Sequence, residues 1–341
     1  MKRLSLLNKL IFALNLLVVF FLLIACAIPY LRADFFSFLS FLSLSVPFLA
    51  IINFLFFLYW LLLGKRQLVP SLIVLLLGYF IFDTFVKIDL GGNEQDEGDL
   101  KVMTYNVRGF NVWHHQDIPN TMEKIKALIR KEDPDVLCFQ EVGYDMDPHF
   151  MDYPYHYLKK IHTGHKVHLG LFSKYPIINA ETIHFPNSIN NGSYADIVVR
   201  EDTIRVYNVH MQSLGVTPGS GNVRSKPVDF LYNKLNRRFK NQLQQAKMVE
   251  ANMAGSPYPK ILCGDFNNTQ FSSTYHILKG DMADTFIEKG KGLGRTYDLF
   301  GVPFRIDFIF ADQSLEIKSH KNFDEKLSDH FPVTASFSLK H

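Results

Sequence analysis

An apolar run, Ile261-Leu262-Cys263, stops abruptly at Gly264-Asp265-Phe266-Asn267. Successive side chains of a strand alternate between faces, so Asp265 and Asn267, at i and i+2, leave the same side of its end. A carboxylate beside a carboxamide can hold a water molecule or a phosphate oxygen; the same four residues also fit an Asx turn after an ordinary strand. Other apolar runs close in comparable groups. Lys101 to Arg108 reads as a strand carrying Asn106 and Arg108, Val136 to Glu141 runs straight into a carboxylate, and Arg205 to His210 ends in an imidazole. Phe304 to Phe310 has a single acid, Asp307, inside a β-branched and aromatic run, and Asp329-His330 joins an acid to an imidazole. An unpaired acid in a buried strand is costly, so Asp307 should have a partner.

In this order the segments resemble the endonuclease/exonuclease/phosphatase superfamily, the fold of DNase I, abasic-site endonucleases, neutral sphingomyelinases and inositol-phosphate phosphatases. The resemblance covers roughly residues 100 to 339 and occupies all of the usual signature positions. It implies an α/β (α+β) chain with a DNase I-like four-layer α/β/β/α sandwich, its active groups gathered at one end. Hydrolysis of a phosphoester needs a cation on its oxygens, an activated water and a proton for the leaving oxygen. By resemblance, Glu141 holds Mg2+, with Mn2+ as the alternative, and Asn106 and Asp329 complete the protein shell. Asp265 would orient or deprotonate the attacking water, and Asn267 would donate to the phosphoryl oxygen. Asp307 would fix the tautomer of His330, which faces the phosphate, with His210 on the other side as donor or general acid and Arg108 binding substrate.

The elements that must position these groups are legible from periodicity. Met122, Ile125, Leu128 and Ile129 mark one face of a helix over 119–131, stopped by Pro134, which makes a strand–helix–strand opening. Lys166 to Ile177 matches the superfamily strand that ends in Ser-Lys-Tyr-Pro, and further strands are expected at 194–199 and 203–212. A loop over 214–227 carrying Arg224 and Lys226 leads into a helix over 228–254, whose core stripe would be Phe230, Leu231, Leu235, Phe239, Leu243, Ala246 and Val249. The strand runs are almost continuously apolar, as sheets covered on both faces require.

The N-terminal part has a different composition. Residues 1–85 hold six Lys/Arg and two Asp/Glu out of totals of 36 and 33, leaving 30 basic and 31 acidic residues in 86–341. The soluble part thus has a formal charge of −1 and is not a basic nucleic-acid module. Apolar spans are expected at about 10–31, 36–64 and 68–85, the first long enough for a hydrocarbon core of ~30 Å. Lys2, Arg3, Lys9, Lys65 and Arg66 belong on the cytoplasmic side. Three spans then place a catalytic domain, 99–341, on the extracytoplasmic (periplasmic) side of a bacterial inner membrane, behind a polar linker at 86–98. Leu23-Ile24-Ala25-Cys26 also resembles a lipoprotein cleavage box, and cleavage there would leave the same orientation.

Two departures narrow the function. Abasic-site endonucleases carry an Asp two residues after the first Asn and a Tyr in the His210 region, where this chain has Arg108 and His210 itself. His162, His165 and His168 have no thiolate or acid at ligand spacing and read as a loop entering a strand. Cys138 and Cys263 lie inside apolar strands near the expected site, reduced by default or paired if the strands face one another. The expectation is a membrane-anchored phosphodiesterase or phosphatase acting on a lipid headgroup, a small phosphodiester or nucleic acid, with the bilayer as its other partner and no protein partner. An extracytoplasmic DNase I-like nuclease and an inactive membrane-tethered binding module are the alternatives.

Overall fold

The apolar runs become strands of two six-stranded sheets, in a computed structural model that describes residues 4–30, 40–82, 87, 100–111, 118–143, 150–158, 168–215, 227–299 and 301–339. The linker at 86–98, apart from Lys87, lies outside the described residues, as do His162, His165, Arg224 and Lys226. Three helices come first, α1 (Leu6–Ala27), α2 (Ser40–Leu62) and α3 (Val69–Phe82). Then follow β1 (Leu100–Asn106), α4 (Thr121–Glu132), β2 (Val136–Val142), β3 (Tyr155–Leu158), β4 (His168–Ser173), β5 (Ile177–His184), β6 (Asn191–Val199) and β7 (Asp202–His210). The second half contains α5 (Val228–Ala254), β8 (Lys260–Asp265), α6 (Ser273–Lys279), β9 (Ala283–Asp284) and α7 (Thr285–Lys289). It closes with β10 (Tyr297–Leu299), β11 (Val302–Phe304), β12 (Asp307–Ala311), β13 (Leu315–Asn322) and β14 (Val333–Leu339).

One sheet has the order β13-β14-β1-β2-β4-β3 and the other β5-β6-β7-β8-β12-β9, with β10 and β11 forming a separate hairpin. Alternation along β8 shows why the runs are apolar throughout. Ile261 and Cys263 point into the layer between the sheets, against Val102, Val136 and Cys138, while Leu262 packs outward under Ala246 and Val249 of α5. Ile125, Leu128 and Ile129 of α4 cover the outer face of the first sheet. The layers are therefore α/β/β/α, and burial of both faces of each sheet is the dominant favourable term.

Three local expectations are corrected. Phe230 is exposed and Leu231 and Leu235 only half-buried, because α5, about 40 Å long at ~1.5 Å per residue, extends past the sheet; its packed stripe starts at Phe239. The run from Phe304 to Phe310 is broken at Arg305-Ile306, so Asp307 begins β12 instead of lying inside a strand. Arg108 is off the strand, in a short turn over Arg108–Asn111. The default reading of the cysteines stands: Cys138 and Cys263 are both buried and free.

The N-terminal helices form a bundle built the other way round from the sandwich. Two of them, Leu6–Ala27 and Leu42–Leu62, are long and apolar enough to cross a membrane. The third expected span is shorter: α3 has 14 residues, and 83–85 lie outside the described residues. The bundle interior combines apolar side chains such as Leu22, Ala25, Val46 and Val74 with a polar cluster. Asn15 Nδ2 donates to Ser71 Oγ at 2.6 Å, Trp60 Nε1 donates to Asn15 Oδ1 at 3.1 Å, and Ser71 Oγ donates to Asn53 Oδ1 at 3.3 Å, tying all three helices together. Its outside is Leu, Ile and Phe: among the described residues, the large apolar side chains that are exposed elsewhere are only Tyr155, Ile178, Ile189, Phe230, Tyr232 and Leu293.

The two parts touch at one end of the bundle. Ser273 Oγ donates to the Ile28 carbonyl at 3.2 Å, Thr269 Oγ1 donates to the Ser43 carbonyl at 3.4 Å, and Phe271 packs into the bundle core with Val19, Val46 and Val74. At the far end Tyr59 Oη donates to Asn8 Oδ1 at 2.8 Å, beside Lys9 and close in sequence to Lys65 and Arg66.

Candidate active site

Strand register brings the first three acid–base groups together. Parallel pairing of β7 with β8 sets His210 beside Asp265, and antiparallel pairing of β8 with β12 sets Asp307 on its other side. Gly264 makes this possible. Its φ is 138°, and a Cβ there would overlap the Val209 carbonyl of β7, so glycine lets the strands approach just before the carboxylate. In the other sheet β1 pairs with β2, aligning Asn106 with Gln140. The β2–β4 register then breaks between Phe139 and Val142, and the irregularity turns the Glu141 carboxylate toward the second sheet. Glu141, Arg108 and Asn267 all have left-handed backbones, with φ of 55°, 44° and 50°, conformations that cluster at functional sites because they cost energy elsewhere.

All nine sequence-derived candidates, Asn106, Arg108, Glu141, His210, Asp265, Asn267, Asp307, Asp329 and His330, meet at this end of the sandwich. Asn106 Nδ2 donates to Asp265 Oδ2 at 3.0 Å and to Glu141 Oε1 at 3.3 Å. Asp265 also accepts from the Asn267 backbone N at 2.8 Å and from its Nδ2 at 3.1 Å. His330 Nδ1 lies 2.9 Å from Asp307 Oδ2, and its Nε2 lies 3.7 Å from Asp265 Oδ2. His210 Nε2 is 3.5 Å from Asp265 Oδ2 and 3.7 Å from Glu141 Oε1. Arg108 does not stand open to solvent but pairs with Asp329 at 2.8 Å.

The two imidazoles are held in opposite charge states. Burial lowers the pKa of His210 and keeps it neutral. Burial would do the same to His330, but the Asp307 and Asp265 carboxylates outweigh it and push the ring up to about 10. Burial likewise raises Glu141, and raises Asp265 to about 6.

That electrostatic pattern indicates where a metal fits. Asp265, Asp307 and His330 offer ligand atoms within 4.8 Å of one another, but His330, as an imidazolium, already supplies the cation there. On the opposite side the Glu141 and Asp329 carboxylates and the Asn106 carboxamide carry hard oxygen atoms; Asp329 pairs with Arg108, and Asn106 turns its Nδ2 to Glu141 while its Oδ1 accepts from the Arg108 backbone N, so holding an ion there requires these side chains to turn. This donor set suits Mg2+ or a similar hard divalent ion.

Several supporting residues carry little or no signal in the sequence. Thr296 Oγ1 accepts from the backbone N of Ile306 and of Asp307 and so fixes the start of β12. Gln242 of α5 donates to the Asn267 carbonyl at 3.1 Å and accepts from Asn268 Nδ2 at 2.9 Å. Tyr297 lays its ring on His330 with centroids 5.0 Å apart. Beneath the site Gln140 Nε2 donates to Asn208 Oδ1 at 2.7 Å and to Thr104 Oγ1 at 3.0 Å. Only this last network could have been found, since Thr104, Gln140 and Asn208 are polar residues inside apolar runs.

A cavity of about 620 Å³ opens over these groups. Arg108, Glu141, Asp265, Asn267, Asp329 and His330 line its polar end. The rest is mainly apolar, with Leu299, Val302, Phe304 and Ile306 from the hairpin region and Leu44 and Phe48 from α2, interrupted by Ser45, Ser213 and Tyr297.

The comparisons agree with this architecture. Among solved structures, an endonuclease/exonuclease/phosphatase from Bacteroides vulgatus is 18% identical, with 71% of this chain and 99% of that one covered at a TM-score of 0.56. A mannosyl-6-phosphatase from Bacteroides thetaiotaomicron is 19% identical over 70% of this chain and 100% of its own, at 0.53. D. rerio TDP2 complexed with a single-strand DNA product is 15% identical over 71% and 100%, at 0.54. These likenesses establish the fold. A search of curated proteins returns no match. Residues 8–85 match a domain of unknown function (DUF8431), and residues 103–330, which contain every candidate residue of the site, match the Endonuclease/Exonuclease/phosphatase family model. The chain belongs to that family and is a hydrolase of ester bonds.

Proposed function

We propose that the protein is a membrane-anchored, Mg2+-dependent phosphoester hydrolase, with 1–85 as anchor, 86–98 as linker and 99–341 as a catalytic domain at the extracytoplasmic face. The convergence of Glu141, Asp265, His210 and the Asp307–His330 pair carries the chemical part of this reading. Glu141, Asn106 and Asp329 would hold the ion, which when bound supplies positive charge to the phosphate oxygens. Asp265, steadied by Asn106 and Asn267, orients the attacking water and accepts its proton. His330, kept charged by Asp307, faces the phosphate as a fixed cation, and Asn267 donates to a phosphoryl oxygen. Neutral His210 sits between Glu141 and Asp265, where it can donate its Nε2 proton.

The bundle supports the anchor. Polar groups inside and hydrocarbon outside suit a lipid solvent, where backbone and side-chain polar atoms must be satisfied internally. Lys9, Lys65 and Arg66 lie at the end away from the sandwich, which favours a cytoplasmic location for that end and an outside location for the catalytic part. Protease added to spheroplasts should then remove the catalytic domain, and protection until lysis would refute the orientation. The runner-up is an extracytoplasmic nuclease, for which the likeness to TDP2 speaks; the formal charge of −1 over 86–341 gives little pull on a polyanion.

The decisive experiment uses the full chain in detergent. It should hydrolyse bis(p-nitrophenyl) phosphate only with an added divalent ion, and Glu141→Gln should remove the activity. Turnover indifferent to chelator and to Glu141→Gln would overturn the assignment.

A further inference from the structure

We infer that the substrate is an amphiphile, a phosphoester carrying a hydrocarbon chain that reaches the site along α2 from the bilayer. This deepens the proposed function and rests on it.

The cavity has two chemical halves. One holds charged groups around the reacting position, and the other is hydrocarbon: Phe48 of α2 faces Phe304 with ring centroids 6.3 Å apart, and Leu299 and Val302 continue the wall. A small charged phosphoester has no use for this second half, and duplex DNA would present it with hydrated phosphates. A lipid phosphoester fits both ends, with its phosphate at Glu141 and His330 and the first methylenes of its chain against the wall formed by Phe48, Phe304, Leu299 and Val302.

The wall also leads somewhere. Leu44 and Phe48 line the cavity, and on the same helix Phe48, Ile51, Ile52 and Leu55 are all exposed. Spacings of four, three or four, and three or four residues keep these positions on one face. An apolar strip therefore runs from the catalytic mouth along the outside of the bundle, on the surface that faces hydrocarbon if the bundle spans the membrane. A chain sliding along it would not need to enter water. The anchor on this view is part of the substrate site, which explains why it is packed against the loop of Asn268 and Thr269, next to Asn267.

The test compares two phosphodiesters with one leaving group, ethyl p-nitrophenyl phosphate and hexadecyl p-nitrophenyl phosphate, in the same micelles with the full chain. The hexadecyl ester should have kcat/KM at least about tenfold higher, the equivalent of ~1.4 kcal/mol or about two buried methylenes. Enrichment of the long chain in micelles could produce that difference without any site, so the variants decide. Phe48→Ser, and separately Leu299→Ser on the opposite wall, should cut the hexadecyl-to-ethyl ratio at least about threefold. An unchanged ratio in both variants overturns the inference, as does equal kcat/KM for the two esters in the parent protein or a preference for duplex DNA. If Phe48→Ser loses both activities through misfolding, the Leu299→Ser ratio alone decides between the two outcomes. Failure of the parent protein to cleave either ester would strike the proposed hydrolase itself and is distinct from failure of the amphiphile reading.

Discussion

The bundle and the sandwich differ in where they put their large apolar side chains. In the sandwich Val102, Val206, Ile261 and Ile309 are buried between sheets, because removing them from water drives folding. In the bundle Asn15, Asn53, Ser43 and Ser71 are buried while Leu6, Leu10, Leu14, Ile51 and Leu55 are exposed. Lipid tails are as apolar as leucine, so if the bundle spans a membrane, as proposed, its helices gain nothing by hiding leucine and are joined by polar contacts and close packing. A polar residue in a core therefore means opposite things in the two halves. In the bundle it joins helices; in the sandwich it belongs either to the site and its supports or to a closed pair such as Arg205–Asp196 and Arg305–Asp284.

The largest effect that would test this contrast is chemical. Glu141→Gln and His330→Ala should each lower kcat by ~10² or more, the usual cost of one preorganised catalytic group. Detergent extraction and thermal unfolding should change little, and kcat within a fewfold of the parent would mean these groups only pack. Gly264→Ala comes next. Because the new methyl would meet the Val209 carbonyl at a φ of 138°, unfolding should become easier by about 2–4 kcal/mol, seen as a fall in melting temperature.

Acidity distinguishes the sandwich interior further. His320 is fully buried, and burial holds its pKa down to about 4 from an ordinary 6.5. The unfolded chain takes up this proton first, so the stability contributed by keeping the ring neutral is present above about pH 6.5 and is lost as pH falls toward 4. A loss of about 1–3 kcal/mol is expected over that window, and His320→Gln should flatten this part of a denaturation-versus-pH curve. The smallest effect compares two asparagines. Asn208→Leu abandons the carbonyls of Phe139 and Gly170 and the Gln140 amide, at about 1–3 kcal/mol. Asn15→Leu removes contacts to Ser71 and Trp60, but if the bundle is a membrane anchor, as proposed, its unfolded state in an apolar solvent finds other partners, so about 0.6–2 kcal/mol is expected. Equal losses, measured by denaturation in detergent, would erase the distinction.

The fold is legible because strands buried on both faces leave continuous apolar runs, and runs such as Ile261-Leu262-Cys263 end where the sheet does. The residues gathered at the site are legible for the same reason: His210, Asp265 and Glu141 sit at strand ends, and strand ends on one edge of a sandwich meet. Their geometry is not. Arg108 reads as a strand residue because nothing in its neighbours reports a φ of 44°, and its pairing with Asp329 joins positions far apart in the chain. Thr296 and Gln242 support the site from a loop and a helix face, where a polar residue is ordinary. Contact between α2 and the cavity is invisible too, since an apolar residue facing lipid and one facing a substrate chain are the same residue in a sequence.

The left-handed backbones at Glu141 and Arg108 affect how this protein can be improved. Neither residue type favours that conformation, so glycine or asparagine at either position would relieve strain of about 1 kcal/mol or more. A library selected only for survival of heat would thus be drawn toward replacing the proposed metal ligand and the arginine proposed to bind substrate. Robustness and turnover compete here at the same two codons, and selection for one has to be coupled to a screen for the other.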